Sequence, residues 1–411
     1  MRCLGPLIRP SRDCRIHQGV FMALGVYRPV HNLLPNIRTF TQLILDDTHV
    51  YESVPYLQGL LGPTLTEVTM SLDFQPDTLR DFLSALGRLC PTISSLTLFG
   101  DVTPTTVNNV DNLVCNLHHL RRVDLPSPIE SPVVIRHLGS LQSFQECGTR
   151  FNVAAIPRPH LRQLFNTEAG CFPQLDDIEL QVSSWDQAGD ILSVLQRPLA
   201  VLDIIVAHEA HRRQAPISSF GKLADAFIDH RCLTTLTGLY VAEEHSAKRA
   251  AEVAGGASAA VFLRELFVLR NLRDLYLRLD CVTGVDDSWI AEAAVAWPRL
   301  QAIRLDAETT LEPKVTLAGI IPLVKNCPDL DCFLLPISAK PFDIGLLDPG
   351  IRNTKITELS LAPSLISEPS RVFRCLIVMF PRLRLLECPG FDDTSEEGWQ
   401  RVQTLVSESA G

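Results

Sequence analysis

The closest approach to a metal site in this sequence is His208-Glu209-Ala210-His211, and its spacing argues against one. A helical zinc site sets its two histidines four apart so that both imidazoles share a face; here they are three apart, with no third ligand nearby. Cys327 and Cys332 are separated by four residues, His118-His119 are adjacent, and no Cys-x-x-Cys pair exists to form a zinc knuckle. The cysteines therefore read as buried thiols. Four pairs of adjacent acids, Asp46-Asp47, Asp176-Asp177, Asp286-Asp287 and Asp392-Asp393, could suggest catalysis or a Ca²⁺ site. Neighbours on a strand face opposite ways, however, and none of these pairs has EF-hand spacing, so they read as solvated turns or surface charge. There is no GxxxxGK[ST] loop, GxGxxG turn, GxSxG elbow or HExxH helix. The expectation is a protein without catalytic residues, bound metal or cofactor.

The elements that would carry any functional side chain are set by one recurring phrase: apolar, two residues, leucine or its equivalent, one residue, leucine or its equivalent. Clear copies begin at Phe40, Leu65, Ile93, Leu120, Leu175, Leu272, Leu300, Leu330, Ile356 and Leu383, with weaker ones at Leu141, Leu199 and Leu236. Their starts lie between 21 residues apart (Leu120 to Leu141) and 37 apart (Leu199 to Leu236), clustering near the ~20–29 of leucine-rich repeats. The long steps around Leu199–Leu272 leave room for an extra helix or loop, and Gly255-Gly256 interrupts an alanine-rich run from Ala247 to Ala260. Strand side chains alternate faces, so the last two leucines of each copy point inward and the residues around them point outward. One such unit cannot bury its own apolar side, but a stack of them can. Parallel strands also need a crossover of about a dozen residues or more, and the remainder of each period supplies a helix of that size.

A second regularity marks where those helices stop. Proline follows Leu34, Cys90, Phe172, Trp297, Cys327 and Phe380, each shortly before a copy of the phrase. The residue before proline is pushed out of the helical region, so each marks a helix end and an approach to the next strand. Upstream segments such as Leu79, Phe82, Leu83, Leu86 and Leu89, or Phe373, Leu376, Ile377 and Phe380, carry apolar residues at helical spacing.

Composition narrows the function classes. Hydrophobic residues make up 46% of the 411 and charged residues 20%, ample for a core. Lys and Arg total 37 against 47 Asp and Glu, a net charge of −10 that offers no general attraction to nucleic acid. The basic stretch from Arg2 to Arg15 lacks aromatics that would stack bases and reads as a solvated end. No run approaches the ~18 apolar residues of a membrane span, and none near the N-terminus makes a signal-peptide core. Twelve cysteines, placed singly, and the absence of any Asn-x-Ser/Thr sequon favour the reducing cytoplasm or nucleus.

The phrase Cys/Phe/Trp-Pro-x-Leu-x-x-Leu-x-Leu, with its irregular period and no regular asparagine after the last leucine, resembles the leucine-rich arm of F-box proteins, particularly fungal ones, over about residues 27–390. Tyr27-Arg28-Pro29 through Leu33-Leu34-Pro35-Asn36-Ile37-Arg38 is similar to the lead-in segment of such proteins. The resemblance implies a module in which an N-terminal F-box docks on a cullin-ligase adaptor while the repeats hold a substrate for ubiquitin transfer. This chain departs from that pattern: Leu34-Pro35, Leu125-Pro126 and Leu335-Pro336 do not open the Leu-Pro-x-Glu segment that starts an F-box. An adaptor is therefore a partner only if an F-box lies upstream. A stand-alone scaffold or inhibitor of the ribonuclease-inhibitor kind, with no ligase role, is the alternative.

The expected architecture is an α/β leucine-rich-repeat solenoid, a horseshoe with a parallel β-sheet on its concave face and helices on its convex face. Residues 1–33 would form a lead-in or cap, 34–390 about thirteen irregular repeats, and 391–411 a C-terminal capping helix or tail. Residues flanking the last two leucines should project from the concave wall: Arg122 and Asp124, then Asp177, Glu179 and Gln181, then Asp203, Tyr240, Asp274, Tyr276 and Arg278, and finally Arg304 and Asp306. Tyrosine and arginine are enriched at binding hot spots, and the acids would favour a ligand with basic residues. The expected partner is thus a protein substrate or ligand, with neither nucleic acid nor membrane.

Overall fold

A computed structural model of the chain describes residues 36–42, 58–73, 76–165, 171–195, 198–207, 223, 225–227, 234–244, 263–279, 282, 284–306, 312–346, 348, 350–361 and 363–410. Residues 1–33, Leu43, Leu45, Asp46-Asp47, His208–His211 and Ala247–Ala260 lie outside them. The chain divides into two compact units, Met1–Ser127 and Pro128–Gly411.

In the first unit β1 (Thr39–Gln42), β2 (Glu67–Ser71), β3 (Ser95–Phe99) and β4 (Arg122–Asp124) pair side by side, all parallel. Helix α1 (Pro76–Leu89) crosses from β2 to β3, and α2 (Pro104–Asn116) from β3 to β4. The register places Val68, Leu96 and Val123 in one row, so each repeat buries its leucine position against the next. Fully burying one such side chain stabilises by about 1.5–3 kcal/mol, and the stack repeats that gain at every rung.

The second unit continues with α3 (Pro132–Ser140), β5 (Glu146–Cys147), β6 (Phe151–Asn152), α4 (Arg158–Phe165), β7 (Asp177–Val182), α5 (Trp185–Val194), β8 (Val201–Ala207), β9 (Gly238–Glu244), β10 (Asp274–Arg278), α6 (Asp287–Ala296), β11 (Ala302–Asp306), α7 (Ile321–Asn326), β12 (Cys332–Leu334), β13 (Ser338–Ala339), β14 (Glu358–Ser360), β15 (Leu365–Ile366), α8 (Pro369–Met379), β16 (Leu385–Glu387) and α9 (Asp393–Ala410). Strands β6 to β12 form one parallel sheet of seven in sequence order, and β13–β15 and β14–β16 make two smaller parallel pairs. Ile178, Leu202, Leu239, Leu275, Ile303 and Phe333 share one buried row; Leu180, Ile204, Val241, Leu277 and Leu305 share the next. The chain is thus an α/β protein of stacked strand-and-helix units. Among the described residues no helix is long and apolar enough to cross a membrane.

The proline punctuation has a visible physical basis. Cys90, Trp297, Cys327 and Phe380 each follow a helix, and each is fully buried. In each case the carbonyl of that residue accepts a hydrogen bond from the first leucine-type N–H of the next strand unit, Ile93, Leu300, Leu330 and Leu383 respectively, at 3.0–3.3 Å. Proline cannot extend the helix, so the preceding side chain turns inward as a wedge while the chain reverses into the strand. One carbonyl per repeat then takes two amides of the following one: Asp176 O accepts from Ala200 and Val201, Ala200 O from Thr237 and Gly238, and Thr237 O from Arg273 and Asp274.

Several details differ from the sequence expectation. Phe40 pairs with Val68 and not with Leu65, so the first copy reads Ile37-x-x-Phe40, three residues earlier than its apolar pattern suggested. The copies at Leu199 and Leu236, weak by pattern, form the longest strands, seven residues each. Helix α8 buries Val372, Cys375, Leu376 and Met379, a face turned by one residue from the expected Phe373–Ile377 stripe. Two of the four acid pairs supply helix caps and a cross-brace. Asp286 accepts the Trp289 N–H at the start of α6, Asp392 accepts that of Ser395 in α9, and Asp287 accepts both the amide and the hydroxyl of Thr316 at 2.7 Å. Satisfying orphaned amides at a helix start is what such residues do best.

Candidate functional site

Alternation along β7 to β11 puts one set of side chains into the core and leaves the other on the outward face of the sheet, the face away from the helices. Of the candidate residues, Arg122 and Asp124 lie on β4 in the first unit, Arg122 exposed and Asp124 half-buried. The other ten lie on the second unit's sheet, all half-buried and all outward.

Strand register sorts those ten into rows. The middle row runs Glu179, Asp203, Tyr240, Tyr276 and Arg304 on successive strands β7 to β11. Beside it on one side run Asp177, Val201, Gly238, Asp274 and Ala302, and on the other Gln181, Ile205, Ala242, Arg278 and Asp306. Neighbouring parallel strands are ~4.8 Å apart, so the middle row extends over roughly 19 Å and changes from acid through aromatic to base.

The acid end is electrostatically crowded. Burial, then the nearby Glu179 and Asp177 charges, push the Asp203 carboxyl up to about 7, against a partial pull from Arg150. Burial also raises Glu179; Arg150 opposes this from 3.8 Å and Asp177 adds to it. Two carboxylates on one half-dry surface cannot both ionise freely. In the centre, burial raises both tyrosines; Asp274 and Asp203 add to the effect at Tyr240, and Asp306 at Tyr276. At the far end burial pulls Arg304 down, but a hydrogen bond from its guanidinium to the Cys332 sulfur at 3.7 Å and the Tyr240 and Asp274 charges outweigh it.

Asp203, Asp274, Tyr240 and Tyr276 make no side-chain hydrogen bond or ion pair with any described residue, and the Arg278 Nε is buried without a hydrogen-bond partner. Elsewhere in the same unit some buried polar groups are satisfied, whereas Glu265 Oε2 and the Trp289 and Trp297 indole N–H groups have no hydrogen-bond partner among the described residues. Gln187 accepts from the Ser183 N–H and donates to Val153 O and Ile156 O, and Asn353 donates to Leu330 O while accepting from the Lys355 and Ile356 amides. Polar tips gathered without partners along one row suit an incoming ligand, because partly desolvated groups without partners are costly in the free protein.

Sequence reasoning missed Gly238, Ala242, Ala302 and Arg150. The small residues lie at outward positions of recognised repeats and could have been found by the same alternation that found the charged ones. Arg150 stands between β5 and β6, in a stretch that matches no copy of the phrase, so no periodic signal marked it. Among the described residues no cluster of three or more His, Cys, Asp or Glu is placed to hold a metal ion.

No family model and no curated protein matches the chain. Among solved structures, the chain is similar to one from the crystal structure of a Rad7 and Elc1 complex in yeast. The likeness covers 80% of this chain and 78% of that one, at 14% identity and a TM-score of 0.39.

Proposed function

We propose that this chain is a non-catalytic leucine-rich-repeat interaction module whose outward sheet face in the second unit receives a protein ligand. Its place, on this reading, is substrate recruitment of the F-box type in the cytoplasm or nucleus. The single observation that carries the binding reading is the middle row, where Glu179, Asp203, Tyr240, Tyr276 and Arg304 stand in one hydrogen-bonded register on strands otherwise given over to core packing. Tyr and Arg concentrate binding energy because they bring large contact areas at low conformational cost, and the acids select against acidic partners. The F-box part rests on the Pro-x-Leu-x-x-Leu-x-Leu phrase and on the buried wedge residue that precedes its proline.

The test is affinity purification of the tagged chain from cells, with Asp177→Lys/Glu179→Lys and Tyr240→Ala beside the unchanged protein, each checked for folding by circular dichroism. Partners that disappear with either folded variant support the face; an identical partner set for all three removes it. Recovery of a cullin and its adaptor with the unchanged chain supports recruitment to a ligase, whereas their absence from a purification that yields face-dependent partners favours a stand-alone scaffold.

A further inference from the structure

Gly238 faces outward between Val201 and Asp274, yet it is buried. A Cβ placed there would meet the Tyr240 ring at 3.4 Å and the Val201 side chain at 3.3 Å. The Tyr240 ring therefore lies down along its own strand over the glycine. Beside it in register stand Asp203 on β8 and Tyr276 on β10, with Asp274 next to the covered glycine. An aromatic face with carboxylates on both flanks, none of them hydrogen-bonded or ion-paired through its side chain to a described residue though Arg150 and Arg304 draw on them at longer range, is the environment that attracts an arginine or lysine side chain. Asp203 and Tyr240 are raised by burial first and by neighbouring negative charge second, and a visiting cation would relieve that second cause at both.

The same row ends in the opposite charge. From Asp203 to Arg304 there are three strand-to-strand steps, about 14 Å at ~4.8 Å each. An extended chain lying across the strands advances ~3.3 Å per residue and shows alternate side chains to one face, so the residue that reaches Arg304 from a side chain placed at Asp203 is the fourth along. The third would point away from the sheet. A helix would need about nine residues for the same distance.

Resting on the interaction reading above, we propose that this face takes an extended segment of a partner protein carrying an arginine or lysine and, four residues from it, an aspartate or glutamate. The basic side chain lies over Asp203 at the edge of the Tyr240 ring, the residue midway packs between Tyr240 and Tyr276, and the acidic side chain reaches Arg304. The pair of charges sets orientation, and the tyrosines supply the contact area.

Linear twelve-residue random peptides displayed on phage are selected against the whole chain, and the enriched sequences are synthesised for fluorescence-anisotropy titration. Enriched peptides should carry the opposite charges four residues apart. Inserting one glycine between them should weaken binding about tenfold, as should Tyr240→Ala, because a central aromatic anchor is lost. Arg304→Glu should abolish binding of the acidic peptide and restore it when that peptide's acid is changed to arginine, a rescue that a merely misfolded variant would not give. Peptides that depend on Tyr240 but lack the four-residue charge pair overturn this inference and leave the interaction face standing. Selection that yields no peptide sensitive to Tyr240→Ala or Arg304→Glu overturns both.

Discussion

Asp203→Asn should make this protein more stable, increasingly so as pH rises from about 4 to about 7. The Asp203 carboxyl is pushed up to about 7 by burial first and by the neighbouring Glu179 and Asp177 charges second, from an ordinary value of 3.8. An acid raised on folding contributes stability that is full below its unfolded value and is lost as pH rises through the folded one. By pH 8 a shift of about three units corresponds to about 4 kcal/mol at 1.36 kcal/mol each. Asp203 is half-buried and its neighbours can rearrange, so solvent screening reduces this to about 2 kcal/mol. Asparagine keeps the shape and removes the charge. Urea unfolding followed by circular dichroism at pH 3, 5.5 and 8 should show the variant and the parent nearly equal at the lowest pH and separated by about 2 kcal/mol at the highest. Glu179→Gln, which removes the larger of the two repulsive charges, should shrink the difference at pH 8 and bring its plateau to lower pH. A stability difference that does not change with pH, or a parent that is the more stable at pH 8, refutes the account of crowded acids.

Other substitutions test the packing that holds the face in place. Gly319→Ala would drive a methyl into the Asp287 carboxylate that braces Thr316, and thermal unfolding should show a loss of about 2–4 kcal/mol, since overpacking and a broken charged hydrogen bond add. Asn353→Ala strips the partner from Leu330 O and from the Lys355 and Ile356 amides, and urea unfolding should record a loss of about 2–3 kcal/mol. Trp297 is fully buried, edge-on to Trp289 at 5.7 Å and to Phe267 at 5.2 Å, and its indole N–H has no hydrogen-bond partner among the described residues. Trp297→Phe should therefore cost only about 1–2 kcal/mol of lost volume while Trp297→Ala costs about 3–5, read by denaturant midpoints; equal losses would mean that the indole nitrogen matters after all.

The repeat architecture was legible because each copy carries its own signal: two inward apolar residues one apart, preceded by a third and often by a proline. Where that signal was ambiguous, the sequence offered no way to choose. Ile37-x-x-Phe40 and Phe40-x-x-Leu43 overlap, and although the first ends on Gln42 and only the second completes the phrase, pairing of Phe40 with Val68 selects the first. The Leu236 copy has no proline before it and the Leu199 copy has Pro198 directly against its first leucine, outside the usual spacing, yet their strands are bonded on both sides, which no local pattern reports. The paired acids read as solvated turns or surface charge. That Asp287 braces Thr316 in the next unit, however, depends on a residue 29 positions away.

By itself the sequence determined that strands and helices alternate, that the leucines face inward, and which side chains face outward on each strand. These follow from periodicity, a local property that every repeat states again. Only the tertiary structure decided which outward residues share a row, because lateral register is set by hydrogen bonds between segments some 24 to 37 residues apart in the chain, from β7 to β8 and from β8 to β9. It also decided that Tyr240 lies over Gly238, that Arg150 reaches Glu179, and that Asp203 sits among like charges in a partly dry setting. Charge, aromatic surface and desolvation act through space, and distance in space is what a linear pattern leaves out.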